Sequence, residues 1–268
     1  LDVLLVCHAD ASTILVAANG FGAFLPALVR TSPPSAAALA AAGIADVNAD
    51  GFLDVITASV DGTIAVSPHV DVLGGSPLPA PHTVDVSGLA GSLVAMVLVD
   101  ANGDGDVDVI VGGSSGLVLV PSAGDAPAGP LLPPLVLSLS TVGVRLLVVG
   151  DLRGVGVSVD LVWIDSTANT LRVATLDPAP ASADAVYLAS PAIPLPSDAA
   201  AIACGALDSN AIDDIVIAVT SGDIVAVYDG GTGPTSTLFA GWGDVVDLTV
   251  VSTASGSGHV LLASANST

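Results

Sequence analysis

Two nine-residue stretches gather acidic and amide side chains at alternate positions: Asp46-Val-Asn-Ala-Asp-Gly-Phe-Leu-Asp54 and Asp100-Ala-Asn-Gly-Asp-Gly-Asp-Val-Asp108. Alternate residues of a tight loop can aim their oxygens at one point. Asp46, Asn48 and Asp50, and equally Asp100, Asn102 and Asp104, offer side-chain oxygens at positions 1, 3 and 5. Gly51 and Gly105 occupy position 6, where a sharp turn calls for positive φ. Position 7, Phe52 or Asp106, offers its backbone carbonyl. Position 9, Asp54 or Asp108, returns a carboxylate from the start of the next segment. An all-oxygen set suits a hard divalent cation, which takes about six to eight oxygens at roughly 2.3–2.6 Å. Calcium is therefore expected at both loops. Without a cation Asp46, Asp50 and Asp54 repel one another, so binding is expected to stabilise the fold.

The elements that must position these loops follow from an internal repeat. Each loop ends in an Asp that opens a run of apolar residues: Asp54 before Val-Ile-Thr-Ala, Asp108 before Val-Ile-Val-Gly. The same mark recurs at Asp2, Asp54, Asp108, Asp160 and Asp214, in steps of 52, 54, 52 and 54 residues. His259, before Val-Leu-Leu-Ala, is a weaker sixth mark. Each unit reads as about four strands, placed in the second unit near Ala37–Ala45, Val55–Ser59, Thr63–Pro68 and Thr83–Val86. Val60-Asp61-Gly62 supplies a hairpin turn, since Asp-Gly favours the φ > 0 such turns require. Ala36–Ala42 is the one helical temptation, and its place before a loop reads as an inner strand of small residues. Four strands per period of about fifty residues fit the blades of a β-propeller. A β-solenoid or tandem sandwiches are the competing readings. The expected fold is all-β: a single β-propeller, or part of one, over residues 1–268, with five full periods plus one strand. A five-bladed ring closed by strand exchange, a segment of a larger ring and open stacking between chains all remain compatible.

Composition agrees and narrows the function classes. Gly and Pro number 29 and 18, aromatics are 3%, and every acid is Asp and every base Arg. The absence of Glu, Gln and Lys removes several good helix formers. A formal charge of −22 argues against nucleic-acid partners, because phosphate backbones are repelled, and against anionic membrane surfaces. A salt-adapted surface would also be acidic, but it would not concentrate Asp in nine-residue loops. No apolar run reaches the roughly 20 residues of a membrane span. The two cysteines, Cys7 and Cys204, allow one disulfide and lack the partners of a zinc site.

Other loop families share the opening of these motifs. An EF-hand needs an acid at position 12 and flanking helices, whereas position 12 here is Thr57 or Val111. Tandem nonapeptide repeats would recur every nine residues. The position-9 Asp followed by a strand resembles the FG-GAP/VCBS repeat family, which includes the propeller of integrin α subunits. Ile14-Leu-Val-Ala-Ala-Asn-Gly-Phe-Gly-Ala-Phe24 is similar to the strand and turn of VCBS repeats. The resemblance is specific in the two loops and loose elsewhere. It implies an extracellular or cell-surface propeller with structural calcium.

The remaining copies depart from the pattern. In Asp151-Leu-Arg-Gly-Val-Gly-Val-Ser-Val-Asp160 position 3 is Arg153, so no calcium is expected, and Arg153 should pair with Asp151 or Asp160. The loop ending at Asp214 retains Asp208, Asn210 and Asp214 but lacks the first ligand and the Gly, an incomplete third candidate. Gly112-Gly-Ser-Ser-Gly116 matches a nucleophile elbow in letters but lies between predicted strands, where a hairpin turn is expected. His8, His69, His82 and His259 show no metal spacing. Trp163 is expected in the core, and Trp242, in Ala-Gly-Trp-Gly, is the one aromatic with a case for an exposed sugar platform. Asn266-Ser-Thr268 is an N-glycosylation pattern, and the Ser/Thr/Pro-rich stretches are compatible with O-glycans. No acid–base set for catalysis emerges. The expected function is a non-enzymatic adhesion module that binds a protein or glycan of a cell surface or matrix. The alternatives are a self-associating subunit of an extracellular fibre or sheath and the non-catalytic propeller of a polysaccharide-active enzyme.

Overall fold

The computed structural model describes residues 3–7, 12–16, 29–31, 37–68, 80–124, 130–137, 139, 143–154, 160–177, 187–207, 210, 212–220, 224–227, 236–239, 245–252 and 258–264. The chain divides into two compact units, Leu1–Leu137 and Ser138–Thr268.

In the first unit a three-stranded sheet, β1 (Val3–Cys7), β2 (Ser12–Val16) and β3 (Val29–Thr31), precedes two four-stranded antiparallel meanders. The first meander is β4 (Leu39–Ala45), β5 (Asp54–Ser59), β6 (Thr63–Ser67) and β7 (His82–Asp85). The second is β8 (Leu93–Val99), β9 (Asp108–Gly113), β10 (Gly116–Val120) and β11 (Leu135–Val136). The second unit repeats the plan. One sheet comprises β12 (Val144–Gly150), β13 (Asp160–Asp165), β14 (Thr170–Leu176) and β15 (Tyr187–Ala189), with β16 (Ile193–Pro194) also paired to β14. The next is β17 (Ala199–Gly205), β18 (Asp214–Val219), β19 (Ile224–Val227) and β20 (Ser236–Phe239). The hairpin β21 (Val245–Ser252) and β22 (Gly258–Ser264) ends the described chain.

The four strands expected around residues 37–86 form within two residues of their expected ends, and 39–42 lies in a strand rather than a helix. The second strand of each of the four larger sheets, β5, β9, β13 or β18, is buried at every residue. Burial on both faces explains why these strands read as unbroken apolar runs rather than alternating ones. Val109 and Val111 of β9 pack with Ile56, Ala58, Ile64 and Val66 in the core of the first unit. Val162 and Ile164 of β13 pack with Ile215 and Ile217 in the second.

Small residues in the first strands allow close approach. A Cβ built on Gly43 of β4 would meet Leu98 of β8 at 2.7 Å. In the second unit a Cβ on Gly205 of β17 would meet Val250 of β21 at the same distance. The strands β4, β8, β12, β17 and β21 also carry a register shift at the same place, between Leu39/Ala41, Leu93/Ala95, Val144/Leu146, Ala199/Ala201 and Val245/Asp247. A bulge kept at one position of successive sheets is a built feature that adds local twist.

One element has no counterpart in the sequence reading. Ser87–Ala90 makes a single helical turn, α1. Asp85 Oδ1 accepts the Ser87 N–H at 2.9 Å at its entrance. Hydrogen bonds from the Ser87 side chain and, next, from the Ser87 backbone N–H lower the Asp85 pKa, against the opposing effect of the Asp61 charge.

Candidate functional site

The loop between β4 and β5 is organised by its own side chains. Asp46 accepts the Asp50 N–H on Oδ1 at 3.1 Å and the Gly51 N–H on Oδ2 at 2.8 Å. Asn48 Oδ1 accepts the Asp50 N–H at 3.0 Å, and Asn48 Nδ2 donates to Asp50 Oδ2 at 3.0 Å. Asp50 Oδ1 accepts the Phe52 N–H at 2.8 Å. Gly51 has φ 86°, as position 6 requires, and Ala49 holds φ 56° without being glycine. Asp50, Gly51 and Phe52 are exposed.

The loop between β8 and β9 repeats this arrangement with one change. Asp100 Oδ2 accepts the Gly105 N–H at 3.0 Å, Asn102 Oδ1 the Asp104 N–H at 2.8 Å, and Asp104 Oδ1 the Asp106 N–H at 2.9 Å. Asn102 Nδ2 again donates to the position-5 carboxylate, Asp104 Oδ2, at 2.8 Å. Asp100 Oδ1, however, accepts from position 4, Gly103 N, at 2.8 Å, where Asp46 Oδ1 accepts from position 5. Short polar side chains that bond backbone two or more residues onward favour such turns without any ligand.

The position-9 residues lie apart from these exposed groups. Asp54 and Asp108 are fully buried. Asp54 Oδ2 accepts the N–H of Val47 at 3.2 Å, and Asp108 Oδ2 that of Ala101 at 3.0 Å. The other two copies do the same: Asp160 Oδ2 accepts Leu152 N at 3.2 Å and Asp214 Oδ2 accepts Leu207 N at 2.9 Å. The recurring Asp thus satisfies a backbone donor near the loop entrance in all four sheets, whatever else the loop contains. A buried N–H left unpaired costs about 1–3 kcal/mol, a physical reason for the recurrence that does not involve a metal. Burial pushes the Asp108 carboxyl up to about 6, against the lowering effect of its bonds from Ser122 and Ala101, with Asp104 and Asp100 adding repulsion.

No motif or spacing in the sequence marks Ser122. It is 3% exposed; its N–H donates to Asp108 Oδ1 at 2.7 Å and its hydroxyl to the Val47 carbonyl at 2.7 Å. It therefore ties the 46–54 loop to the 100–108 loop. It lies just after β10, at the head of a Pro/Gly/Ser-rich connection whose composition reads only as linker.

In the 151–160 loop Arg153 takes the partner its sequence offered. Its Nη2 lies 3.0 Å from Asp160 Oδ1, and its Nε donates to Asp160 Oδ2 at 3.2 Å. Asp213, beside the third loop, accepts the Asp151 N–H at 2.8 Å, and its own N–H donates to the Asp151 carbonyl at 2.9 Å. In that third loop Asn210 Oδ1 accepts Ile212 N at 2.8 Å, while Asp208 lies outside the described residues, as do Asp2, Trp242 and Asn266. Trp163 is in the core, 1% exposed. Gly112–Gly116 forms the β9–β10 turn, with Ser114 Oγ accepting the Ser92 N–H at 3.1 Å, and no helix follows it. Cys204 is a free thiol whose pKa is pushed up by burial and by Asp213 and Asp214, which keeps it protonated.

The chemistry of positions 1, 3 and 5 fits a hard cation: three oxygen-bearing side chains of one loop, already turned by Gly51 or Gly105. A carboxylate has about four lone-pair sites, so one or two N–H bonds do not exhaust it. Position 9 fits less directly, because its carboxylate is engaged inside the sheet. Among the described residues no group of three or more His, Cys, Asp or Glu side chains stands ready to hold a metal ion. Nor is any described helix long and apolar enough to cross a membrane.

No family profile and no curated protein matches the sequence. Solved structures do. Saccharomyces cerevisiae Sqt1 aligns with a TM-score of 0.63 at 12% identity, over 95% of this chain and 64% of that one. The chain thus spans less than two-thirds of the length of that Sqt1 chain. BBS1N in complex with ARL6DN gives 0.58 at 12% identity, over 98% and 76% of the two chains. The β-propeller domain of Myceliophteria thermophila Cps50 (Swd1) gives 0.64 at 10%, over 97% and 78%. At these identities the likeness shows the fold alone: all-β, built from antiparallel sheets of the β-propeller kind.

Proposed function

We propose that the chain is a non-enzymatic interaction module of the FG-GAP/VCBS type, extracellular or at a cell surface, whose 46–54 and 100–108 loops bind structural calcium. The observation that carries this reading is the near-identical hydrogen-bond pattern of two loops whose position-9 Asp residues lie 54 residues apart. Each presents Asp, Asn and Asp oxygens at positions 1, 3 and 5 on the exposed side of a turn. Asp46, Asn48, Asp50 and the Phe52 carbonyl would hold one ion, and Asp100, Asn102, Asp104 and the Asp106 carbonyl the other. Asp54 and Asp108 would close the loops from behind, through a remaining lone pair or through the backbone they fix. When bound, calcium supplies charge neutralisation and no chemistry. The finer architecture, five full periods plus one strand of a propeller, belongs to the same reading. A protein partner is supported in kind by the neighbour BBS1N, which was solved in a complex with ARL6DN.

Isothermal titration of the metal-free chain with calcium tests the assignment. The expected stoichiometry is two ions per chain, falling to one in Asp46→Asn and to one in Asp100→Asn. Absence of binding, or binding that both variants leave intact, would overturn it.

A further inference from the structure

The two candidate loops differ at position 4, where Ala49 stands in one and Gly103 in the other. Both residues take the left-handed region, at φ 56° and 78°. Around Gly103 nothing lies within 4 Å of where a Cβ would be, and Asn102 and Gly103 are both exposed. The Gly103 N–H is turned toward the Asp100 carboxylate at 2.8 Å, whereas Asp46 Oδ1 accepts the N–H of the next residue along.

We propose that Asn102-Gly103 is a site of spontaneous deamidation, which makes the 100–108 loop the one that ages. The Gly103 nitrogen attacks Asn102 Cγ. A C–N bond forms, the Gly103 amide proton passes to a solvent base, and the Cγ–Nδ2 bond breaks with release of ammonia. Water then opens the five-membered imide at either carbonyl, leaving aspartate or isoaspartate at position 102. The net change is addition of water and loss of ammonia, so no other reactant is needed. A side chain on the following residue crowds this attack. Gly103 offers none, and Ala49 protects Asn48 in the sister loop.

Two hydrogen bonds hold the Asn102 carboxamide to Asp104, so the reaction runs from openings of the loop and its rate reports how often they occur. The aspartate product adds a negative charge beside Asp100 and Asp104. The isoaspartate product lengthens the backbone by one methylene between Asp100 and Gly105, and so removes the bond joining them. One loop of the pair then loses its geometry while the other keeps it.

The test is peptide mapping by mass spectrometry, with isoaspartyl methyltransferase labelling, of the full chain held at mildly alkaline pH. Asn102 is expected to convert several-fold faster than Asn48. Gly103→Ala is expected to reduce conversion to the Asn48 rate, and alanine already holds the corresponding left-handed position, Ala49, in the sister loop. Asn102→Gln, which disfavours the five-membered ring, provides a second variant with the same expected loss. Conversion of Asn102 no faster than Asn48, or undiminished in Gly103→Ala, would overturn the proposal. A parallel arm with calcium or chelator rests on the calcium reading: a bound ion restrains Asn102 and slows conversion. Equal rates in that arm would count against calcium at this loop and leave the modification standing.

Discussion

The 46–54 and 100–108 loops and the 151–160 loop solve one problem in two ways. All three begin a strand with a buried Asp that accepts the N–H of the second loop residue. In the 151–160 loop the chain supplies its own cation, because the Arg153 guanidinium bonds both oxygens of Asp160. The other two have no Arg within the loop; they present Asp, Asn and Asp on the outer side and bond them to backbone N–H groups. The buried Asp is thus the constant part of the repeat, and the residues at positions 1, 3 and 5 are the variable part. Metal binding, where it occurs, belongs to the variable part. The contrast also explains why the Asp ruler runs through copies that lack ligands.

That contrast can be broken most severely at Asp160. Asp160→Ala strands a partly buried guanidinium and the Leu152 N–H together. The expected loss is about 3 kcal/mol, at the lower end for a broken buried pair because Arg153 reaches solvent, measured as a shift in denaturant midpoint. Asp54→Ala removes the acceptor of the Val47 N–H and should cost about 2 kcal/mol in chelator. Equal insensitivity of stability to both variants would show that the buried Asp is not the constant part. A sharper variant is Asn48→Arg, which gives the first loop the position-3 residue of the 151–160 loop. It is expected to remove one calcium ion from the titration while keeping the fold, as judged by circular dichroism.

The smallest effect concerns pH. The Asp108 carboxyl lies at about 6 in the folded chain against an ordinary 3.8. Between those values the native state holds a proton that the unfolded chain has released, so this group favours folding at lower pH. Its contribution fades as pH rises through about 6. In chelator, Asp108→Asn should flatten the stability profile across that window relative to the parent. An unchanged profile would contradict the assignment.

Much of this was legible in the sequence because the repeat is written in residue types with narrow uses. The Asp marks located the starts of β5, β9, β13 and β18, Asp61-Gly62 located a turn, and Ala-rich 36–42 pointed to a small-residue first strand. Arg153 announced its own ion pair. The buried role of Asp54 and Asp108 was not legible, because a carboxylate that accepts a backbone N–H and one that binds calcium look the same in one letter. Ser122 was hidden for a different reason: its partners, Val47 and Asp108, are 75 and 14 residues away. The turn of α1 and the recurring bulges depend on local backbone geometry that no motif encodes. The different acceptor habits of Asp46 and Asp100 accompany Ala49 in one loop and Gly103 in the other, a sequence difference that does not by itself announce a hydrogen-bond pattern.

The central claim is that calcium completes the two outer loops. Differential scanning calorimetry of the purified chain in calcium and in chelator tests it directly. The account predicts a higher melting temperature in calcium, a gain reduced in Asp46→Asn and abolished when Asp46 and Asp100 are both replaced by Asn. Superimposable melting curves in calcium and chelator would contradict it.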